Sequence, residues 1–237
     1  MRPIPSTSPA PSSAHFAQRD WERALRLIDA ILEVKRALKR PAEDVARDQG
    51  NRANVLGRLG RFGEAKSELE ACLQIFENSP TDSAKVLGSL ADLFHEQGDV
   101  GQAIIQERRA LALRDQLPVP SDRALSHGKL ANCLEGSGTP SDLAESPRHR
   151  LAALVYRLAA GLGQDLKTSL RNYAVAFHSA RSAGVPLSVP RVVELLADPA
   201  FHPLAEWLRK RGDDIADVQA AVDQTLAMAQ QAAEETE

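Results

Sequence analysis

Asparagine and arginine side chains recur at helical spacing early in the chain. Arg47, Asn51, Asn54 and Arg58 follow one another at intervals of four, three and four residues, so a helix would place them on one face. An asparagine amide both donates and accepts hydrogen bonds, which suits it to the backbone of a polypeptide ligand. The same pattern is also typical of a helix face that contacts only water, and both interpretations stay open at this point.

Other patterns give no support for catalysis. The six histidines form no HxxxH, HxH or HExxH spacing, so we predict no metal site. The chain contains no GxxxxGKS/T, GxSxG or GxGxxG motif, and no carboxylate stands isolated in an apolar run as a tuned acid would. Cys72 and Cys133 have no CxxC or zinc-ligand spacing and are predicted to be buried thiols of a cytoplasmic protein. We therefore expect no catalytic residue and no cofactor.

The composition favours helix and argues against two classes of partner. The 237 residues include 29 basic and 32 acidic side chains, for a net charge of −3, so there is no electrostatic case for nucleic acid or membrane as a partner. No apolar run approaches the ~20 residues of a membrane span. Residues 1–19 are rich in proline and serine and are predicted to be a disordered tail.

The chain carries an internal repeat. GNRA at 50–53, GSLA at 88–91, GKLA at 128–131 and RNYA at 171–174 align, and their starts are 38, 40 and 43 residues apart. A large apolar residue follows each alanine by three positions, and LGRFGEA and QGDVGQA are two copies of one turn. A period of roughly 20–50 residues indicates a stacked array of supersecondary units.

Each of the first two units is predicted to contain two helices. In the first unit, a helix over 41–59 ends at Gly60, and a second helix ends at about Glu77. In the second unit, Thr81 or Asp82 is the predicted cap of the first helix.

The last two units deviate from this pattern. The third begins near Ser121, and its second helix is predicted to start with SPRHR at 146–150, after a long turn. This basic cluster at a helix start could bind an anion, or it could be an ordinary solvated first turn. The fourth unit has a predicted helix over 164–182, and Pro199 and Pro203 break its partner.

These units resemble the tetratricopeptide repeat family. The resemblance rests on the small alanine before each turn, the large apolar residue after it, RFGEA and DVGQA at the turns, and ACL and RAL in the second helices. It covers 20–211, with repeats of about 38–43 residues, as in extended-helix variants. It implies an all-α fold, a right-handed solenoid of helical hairpins (an α-α superhelix). RDWERALRL, from residue 19, is similar to a second helix without its first, which suggests a piece of a larger protein.

Tetratricopeptide repeat proteins bind peptides in a concave groove lined by their first helices. The resemblance therefore implies a protein or peptide partner and a groove lined by polar residues of these helices. The candidates are Arg47, Asn51, Asn54, Arg58, Lys85, Asp92, His95, Lys129, Asn132, Arg171, Asn172 and His178. Glutamates of the second helices, such as Glu68 and Glu107, are expected to be surface residues outside the groove.

Small residues form a stripe on the first helices. Gly50, Ala53, Gly57 and Gly60 share a helix face, and Gly88 lies at the equivalent position of the second unit. Because glycine costs about 1 kcal/mol relative to alanine inside a helix, we predict that a neighbouring helix packs against the stripe. The alternative is that a ligand backbone lies there.

Both ends of the array are candidates for apolar contacts. Residues 212–237 are predicted to form a capping helix and tail after the solenoid of 20–211. The apolar face of this helix comprises Ile215, Val218, Val222, Leu226 and Ala229. At the other end, the open face comprises Trp21, Leu25, Ile28 and Leu32. Either helix is a candidate for self-association.

The sequence favours a non-catalytic protein- or peptide-binding scaffold in the cytoplasm. One alternative is a sensor or regulatory module of a larger multidomain signalling protein. Another is an enzyme with its site inside the curve of the solenoid, which would need a cluster of histidines or carboxylates with perturbed pKa values.

Overall fold

All regular secondary structure in the computed structural model is helical. The model describes residues 13–163, 166–186 and 191–234, with side chains from 20 to 227 apart from the same two gaps. No strand occurs in these ranges, which confirms the predicted all-α class. The chain divides into two compact units, Met1–Asn78 and Ser79–Glu237, which are described separately below.

The N-terminal unit contains three helices, each packed against the next in sequence. They are α1 (Ser13–Ala37), α2 (Ala42–Arg58) and α3 (Phe62–Ile75). Pro41 directly precedes α2, and Gly60 takes a left-handed φ of 75° between α2 and α3, a conformation that glycine adopts without steric cost. The helix and turn predicted at 41–60 are therefore confirmed.

Helix α1 differs from its prediction at both its start and its exposed face. It begins at Ser13, inside the segment predicted to be a disordered tail, while residues 1–12 lie outside the described part of the chain. Leu25 and Leu32, predicted to lie on an open face, are buried, because α1 packs against α2 on that side. Trp21 is exposed as predicted, and the other apolar residues that α1 exposes are Leu27, Ile31 and Val34, followed by Leu38 in the turn after the helix.

The C-terminal unit continues the hairpin pattern. Its helices are α4 (Pro80–Glu96), α5 (Val100–Arg114), α6 (Pro120–Ser137), α7 (Pro140–Ala159), α8 (Leu166–Ser182), α9 (Val192–Ala197), α10 (His202–Arg211) and α11 (Ile215–Glu234). From α4 to α8 each helix packs against the next. Ser79, rather than Thr81 or Asp82, caps α4 by accepting a hydrogen bond from the backbone N–H of Asp82.

Helix α7 begins earlier than predicted. Thr139 accepts a hydrogen bond from the N–H of Asp142, and Pro140 occupies the first helical turn, where its missing N–H costs nothing. The cluster at 146–150 therefore lies inside the helix, with Pro147 in the helix interior and Ser146 and Arg150 buried. The predicted helix start at this cluster is wrong, and with it the reason to expect an anion there.

A hydrophobic core of this unit forms around α7 among the described residues. Tyr156 and Phe201 are among its fully buried side chains. The helix is interrupted at Pro199 as predicted, in a 3₁₀ turn (Pro199–Phe201) between α9 and α10. Pro203 does not break a helix, because it lies in the first turn of α10, where proline is tolerated. Helix α11 contacts α7, α8 and α9 through the predicted face, where Val218 and Val222 are buried. Ile215 is exposed instead, and the side chain of Ala229 lies outside the described residues.

The predicted contact with a neighbouring helix is absent at three glycines of the repeated stripe, Gly50, Gly88 and Gly128. A Cβ atom added to Gly50 or Gly128 would meet nothing within 4 Å. A Cβ at Gly88 would lie 3.7 Å from Glu107 Oε1, 3.7 Å from Lys129 Nζ and 3.8 Å from Arg114 Nη2. Gly88 thus faces a cluster of charged side chains rather than the backbone of another helix.

Candidate ligand-binding surface

The predicted polar residues of α2 form an exposed helix face. The side chains of Arg47, Asn51, Asn54 and Arg58 are all exposed. Arg47 lies 3.3 Å from a carboxylate oxygen of Asp44, and its guanidinium is 6.0 Å from the centre of the Phe76 ring. The two asparagines are therefore the members of this face that project neutral amides into solvent.

In the C-terminal unit, an ion pair connects two first helices directly. Lys129 Nζ of α6 lies 2.7 Å from Asp92 Oδ2 of α4. His95 is exposed one turn further along α4 and packs beside Gly136 of α6, where an added Cβ would lie 3.3 Å from His95 Nε2. The structure therefore brings together three of the predicted residues along the line where α4 meets α6. Lys85 is exposed and pairs with Asp82 at 3.7 Å.

Asn132 is exposed, but its amide oxygen is engaged by a buried arginine rather than free for a ligand. Its Oδ1 accepts a 2.6 Å hydrogen bond from Arg150 Nη2. Arg150 is buried and also donates to Glu135 through Nε and Nη2, at 3.0 and 2.8 Å. These hydrogen bonds connect α6 to α7. Part of the predicted polar stripe of α6 therefore stabilises the packing of these two helices.

The predicted residues of α8 lie apart from this group. Arg171 and His178 are exposed, and Asn172 is half-buried. Among the described side chains, no hydrogen bond or ion pair connects these three residues to α4 or α6; His178 Nε2 lies 3.4 Å from Ser182 Oγ on the same helix. The structure therefore does not join the α8 residues to the Asp92–Lys129 pair.

Glu107 is a buried carboxylate that sequence reasoning placed on the surface. It is 0% exposed, and neither carboxylate oxygen accepts a hydrogen bond. Lys129 Nζ lies 3.7 Å from Oε1, too far for a hydrogen bond. Burial raises the pKa of Glu107 to about 7, against the opposing effects of Lys129 and Arg114. The expectation of a surface glutamate, and of no tuned carboxylate, is wrong here.

A signal for this burial was present in the sequence. Ala103, Glu107, Ala110 and Arg114 follow one another at intervals of four, three and four residues, and all four are buried on α5. Arg114 balances part of the charge, but its guanidinium is committed to Ser126 Oγ and to the carbonyl of Ala84, 3.5 Å away. Two small alanines on the face that carries Glu107 mark it as the packed face of the helix.

A second buried polar group joins α6 to α7. His127 Nδ1 lies 2.8 Å from His149 Nδ1, and His149 Nε2 lies 3.0 Å from Glu145 Oε1. Arg108 of α5 donates to the other oxygen of Glu145 at 2.7 Å. These histidines are 22 residues apart, so no short motif could have revealed the pair.

The arrangement assigns the protons of the two histidines. A proton on His149 Nε2 is donated to Glu145, so His149 Nδ1 accepts the proton of His127 Nδ1, and both rings are neutral. Burial lowers the pKa of each histidine. The hydrogen bond from His149, helped by Arg108, lowers the pKa of Glu145 to about 2. With Phe201 packed against both rings, the pair stabilises the core and is closed to substrates.

Neither the cysteines nor the metal-ligating side chains of the described residues form a reactive site. Cys72 and Cys133 are free and buried, as predicted, and burial raises the pKa of each thiol to about 11, so both are poor nucleophiles. Within the described residues, no three histidine, cysteine or carboxylate side chains form a group that could hold a metal ion. In the same part of the chain, no helix combines the length and apolar character that a membrane crossing requires.

Repeated helical hairpins with polar first-helix faces define a helical repeat protein. Residues 44–116, which include almost all of the first helices of the first two units, match the family model described as tetratricopeptide repeat. The resemblance seen in GNRA, GSLA and the two turns is therefore confirmed for the first two units.

The crystal structure of BtubC (BKLC) from P. vanneervenii is similar in fold. The likeness has a TM-score of 0.50 and 13% sequence identity, and it covers 94% of this chain and 93% of that one. At this identity the likeness concerns the fold only. No curated protein matches the chain.

Proposed function

We propose that the protein is a non-catalytic, cytoplasmic scaffold that binds a polypeptide through the exposed polar faces of its first helices. The observation that carries this proposal is the ion pair between Asp92 and Lys129, which connects α4 to α6 at 2.7 Å on the surface. Polar groups from two successive repeats thus lie side by side, which suits an elongated ligand with spaced contacts. The tetratricopeptide repeats at 44–116 support the same conclusion, since such repeats commonly mediate protein interactions.

The proposed contact residues are expected to contribute unequally to ligand binding. Asn51 and Asn54 on α2, and Asp92, His95 and Lys129 on α4 and α6, are the central residues of their helix faces. The outer members of the proposed set are Arg47, Arg58, Lys85, Arg171, Asn172 and His178. Asn132 contributes less than the sequence suggested, because Arg150 already engages its amide oxygen.

The test begins with capture of a partner from a lysate of the source organism and its identification by mass spectrometry. Calorimetric titration then compares wild type with the double variant Asn51→Ala/Asn54→Ala. We expect the variant to bind about 1–3 kcal/mol more weakly, since polar ligand groups lose their hydrogen-bond partners. The matched control is Glu70→Ala/Gln74→Ala on α3, where both side chains are exposed. Loss of affinity in the control with none in the α2 variant would refute the proposal.

A second candidate is a regulatory module of a larger signalling protein. It draws support from α1, whose exposed residues Leu27, Ile31 and Val34, continued by Leu38 in the following turn, form an apolar stripe of the kind that another domain covers. This candidate predicts that the natural gene encodes an effector domain adjoining these repeats. A natural gene that encodes the repeats alone would refute it.

A further inference from the structure

The cluster around Lys129 contains more carboxylate than available cation. Lys129 Nζ is shared between Asp92, which is 61% exposed, and Glu107, which is buried. Arg114 adds a positive charge, but its guanidinium is committed to Ser126 and the Ala84 carbonyl. The two oxygens of Glu107 therefore accept no hydrogen bond, and a buried acceptor in that state is costly.

The geometry gives Lys129 two positions. Its ammonium is 2.7 Å from Asp92 Oδ2 and 3.7 Å from Glu107 Oε1, so a shift of about 1 Å would complete a hydrogen bond to Glu107. Gly88 borders this space and places no side chain in it. Lysine is suited to such a shift, because its charge is carried on a flexible four-carbon stem.

We propose that Asp92 binds a lysine or arginine side chain of the polypeptide ligand, and that Lys129 passes from Asp92 to Glu107 as this cation arrives. The inference rests on the proposed function, in that it assumes a polypeptide on this surface, and it adds the charge of the residue that is recognised. Asp92 exchanges one cation for another, while Glu107 gains the hydrogen bond that it lacks.

The opposite ligand charge is disfavoured at the same place. An acidic ligand group would have to draw Lys129 away from Asp92 and would lie close to that carboxylate. It would also move the ammonium further from Glu107, which would leave a buried carboxylate with less compensation. Lys85 lies on the same face of α4 as Asp92 and is paired with Asp82. It therefore repels a basic ligand only weakly.

Charged peptides of equal length test the sign of the recognised group. The probes are fluorescein-labelled octalysine, octaglutamate and a neutral glycine–serine octamer, followed by fluorescence anisotropy at low ionic strength. We expect octalysine to bind and Asp92→Asn to weaken it about tenfold or more. The matched control is Glu206→Gln, which removes another exposed carboxylate paired with a lysine, Lys210, at 2.8 Å. Equal loss in both variants would show non-specific attraction and overturn the proposal.

Variants of the inner residues test the exchange itself. Lys129→Met removes the competitor for Asp92, so octalysine should bind it several-fold more tightly than wild type. Glu107→Gln removes the charge that draws Lys129 inward, so octalysine should bind it several-fold more weakly, although residue 107 is buried. Weaker binding by Lys129→Met would overturn the proposal. If Lys129→Met fails to fold, Lys129→Met/Glu107→Gln carries the same expectation of tighter binding without a buried charge.

A spectroscopic measurement follows the exchange within the folded protein. The carboxyl ¹³C resonance of Glu107, titrated with pH in labelled protein, should report a lower pKa when octalysine is saturating, because Lys129 then lies closer. An unchanged pKa at saturation would refute the movement of Lys129. Preferential binding of octaglutamate would overturn this inference and leave the proposed function intact. By contrast, a captured partner insensitive to the α2 variant would count against the proposed function.

Discussion

The Nδ1 atoms of His127 and His149 face each other at 2.8 Å. Only one of them can carry the proton between the rings, so the pair is held together in its neutral form. Adding a proton to either ring places a positive charge in a buried site beside Phe201, and on His149 the added proton would occupy Nδ1 and break the hydrogen bond from His127.

The first prediction concerns acid stability. Because the pKa of both histidines is lowered on folding, the unfolded chain binds more protons below its histidine pKa of about 6.5. The stability contributed by the pair should be present above pH 6.5 and lost as the pH falls below it. The measurement is the free energy of urea unfolding between pH 8 and pH 5, in wild type and in His127→Gln/His149→Gln.

The comparison between the two proteins is essential here. The pKa of Glu107 is raised on folding, whereas the pKa values of the two histidines are lowered. The pH dependence of stability in wild type therefore combines two opposing contributions. The difference between wild type and the double histidine variant should shrink as the pH falls. The exposed His178 serves as control, since a surface substitution such as His178→Gln usually changes the unfolding free energy by less than about 0.5 kcal/mol. A difference that grows on acidification would contradict the prediction.

The second prediction is that Glu107→Gln stabilises the protein at alkaline pH. The pKa of Glu107 is raised from 4.5 to about 7 on folding, so the folded state binds more protons between these values. Stability from this group is full below pH 4.5 and declines as the pH rises towards 7. A neutral glutamine avoids that loss, which amounts to ~3 kcal/mol at pH 8. Chemical denaturation at pH 8 and pH 5 should show a gain that is much larger at pH 8.

The exposed Glu70 of α3 is the control for that experiment. Glu70→Gln should change the unfolding free energy by less than about 0.5 kcal/mol at either pH, as is usual for surface substitutions. A loss of stability in Glu107→Gln at pH 8 would show that the charge of Glu107 is needed by Lys129 and Arg114.

The third prediction reverses what the glycine stripe suggested. A Cβ at Gly88 would meet its nearest neighbours at 3.7–3.8 Å, an ordinary van der Waals distance, so Gly88→Ala should not overpack. We expect a gain in stability of up to about 1 kcal/mol from helix propensity. Gly128→Ala, where the added Cβ would meet nothing within 4 Å, should behave alike. A lowered melting temperature for Gly88→Ala with a raised one for Gly128→Ala would contradict this.

The fourth prediction tests the network between α6 and α7. Arg150→Met would leave Glu135 and Asn132 without their shared donor in a site where Arg150 is buried. Glu135 is 24% exposed and keeps the hydrogen bond from Ser146, so the expected loss is about 1–3 kcal/mol. Arg148→Met provides the control, because Arg148 pairs with Asp198 in a more exposed position and should cost less than about 1 kcal/mol. Equal losses of unfolding free energy would contradict the assigned role of Arg150.

The sequence predicted the repeats well and the charged interior poorly, for a physical reason. Turn glycines such as Gly60, and alanines at matching positions, are local signals that act within one hairpin. The start of α7 was missed because Thr139 and Pro140 resembled loop residues when read beside Pro147. The environment of Glu107 depends on Lys129, 22 positions away, and the His127–His149 pair spans a similar distance. Such contacts arise only when helices pack.

The position of Lys129 between two carboxylates has a consequence for how the surface responds to acidity. When Glu107 is protonated near neutral pH, its carboxyl group no longer attracts the ammonium group of Lys129 as an anion. Lys129 then pairs with Asp92 alone. The exposed carboxylate then becomes more fully neutralised, although no group on the surface has titrated. Protonation of the buried Glu107 would thereby change the charge that α4 presents to its surroundings.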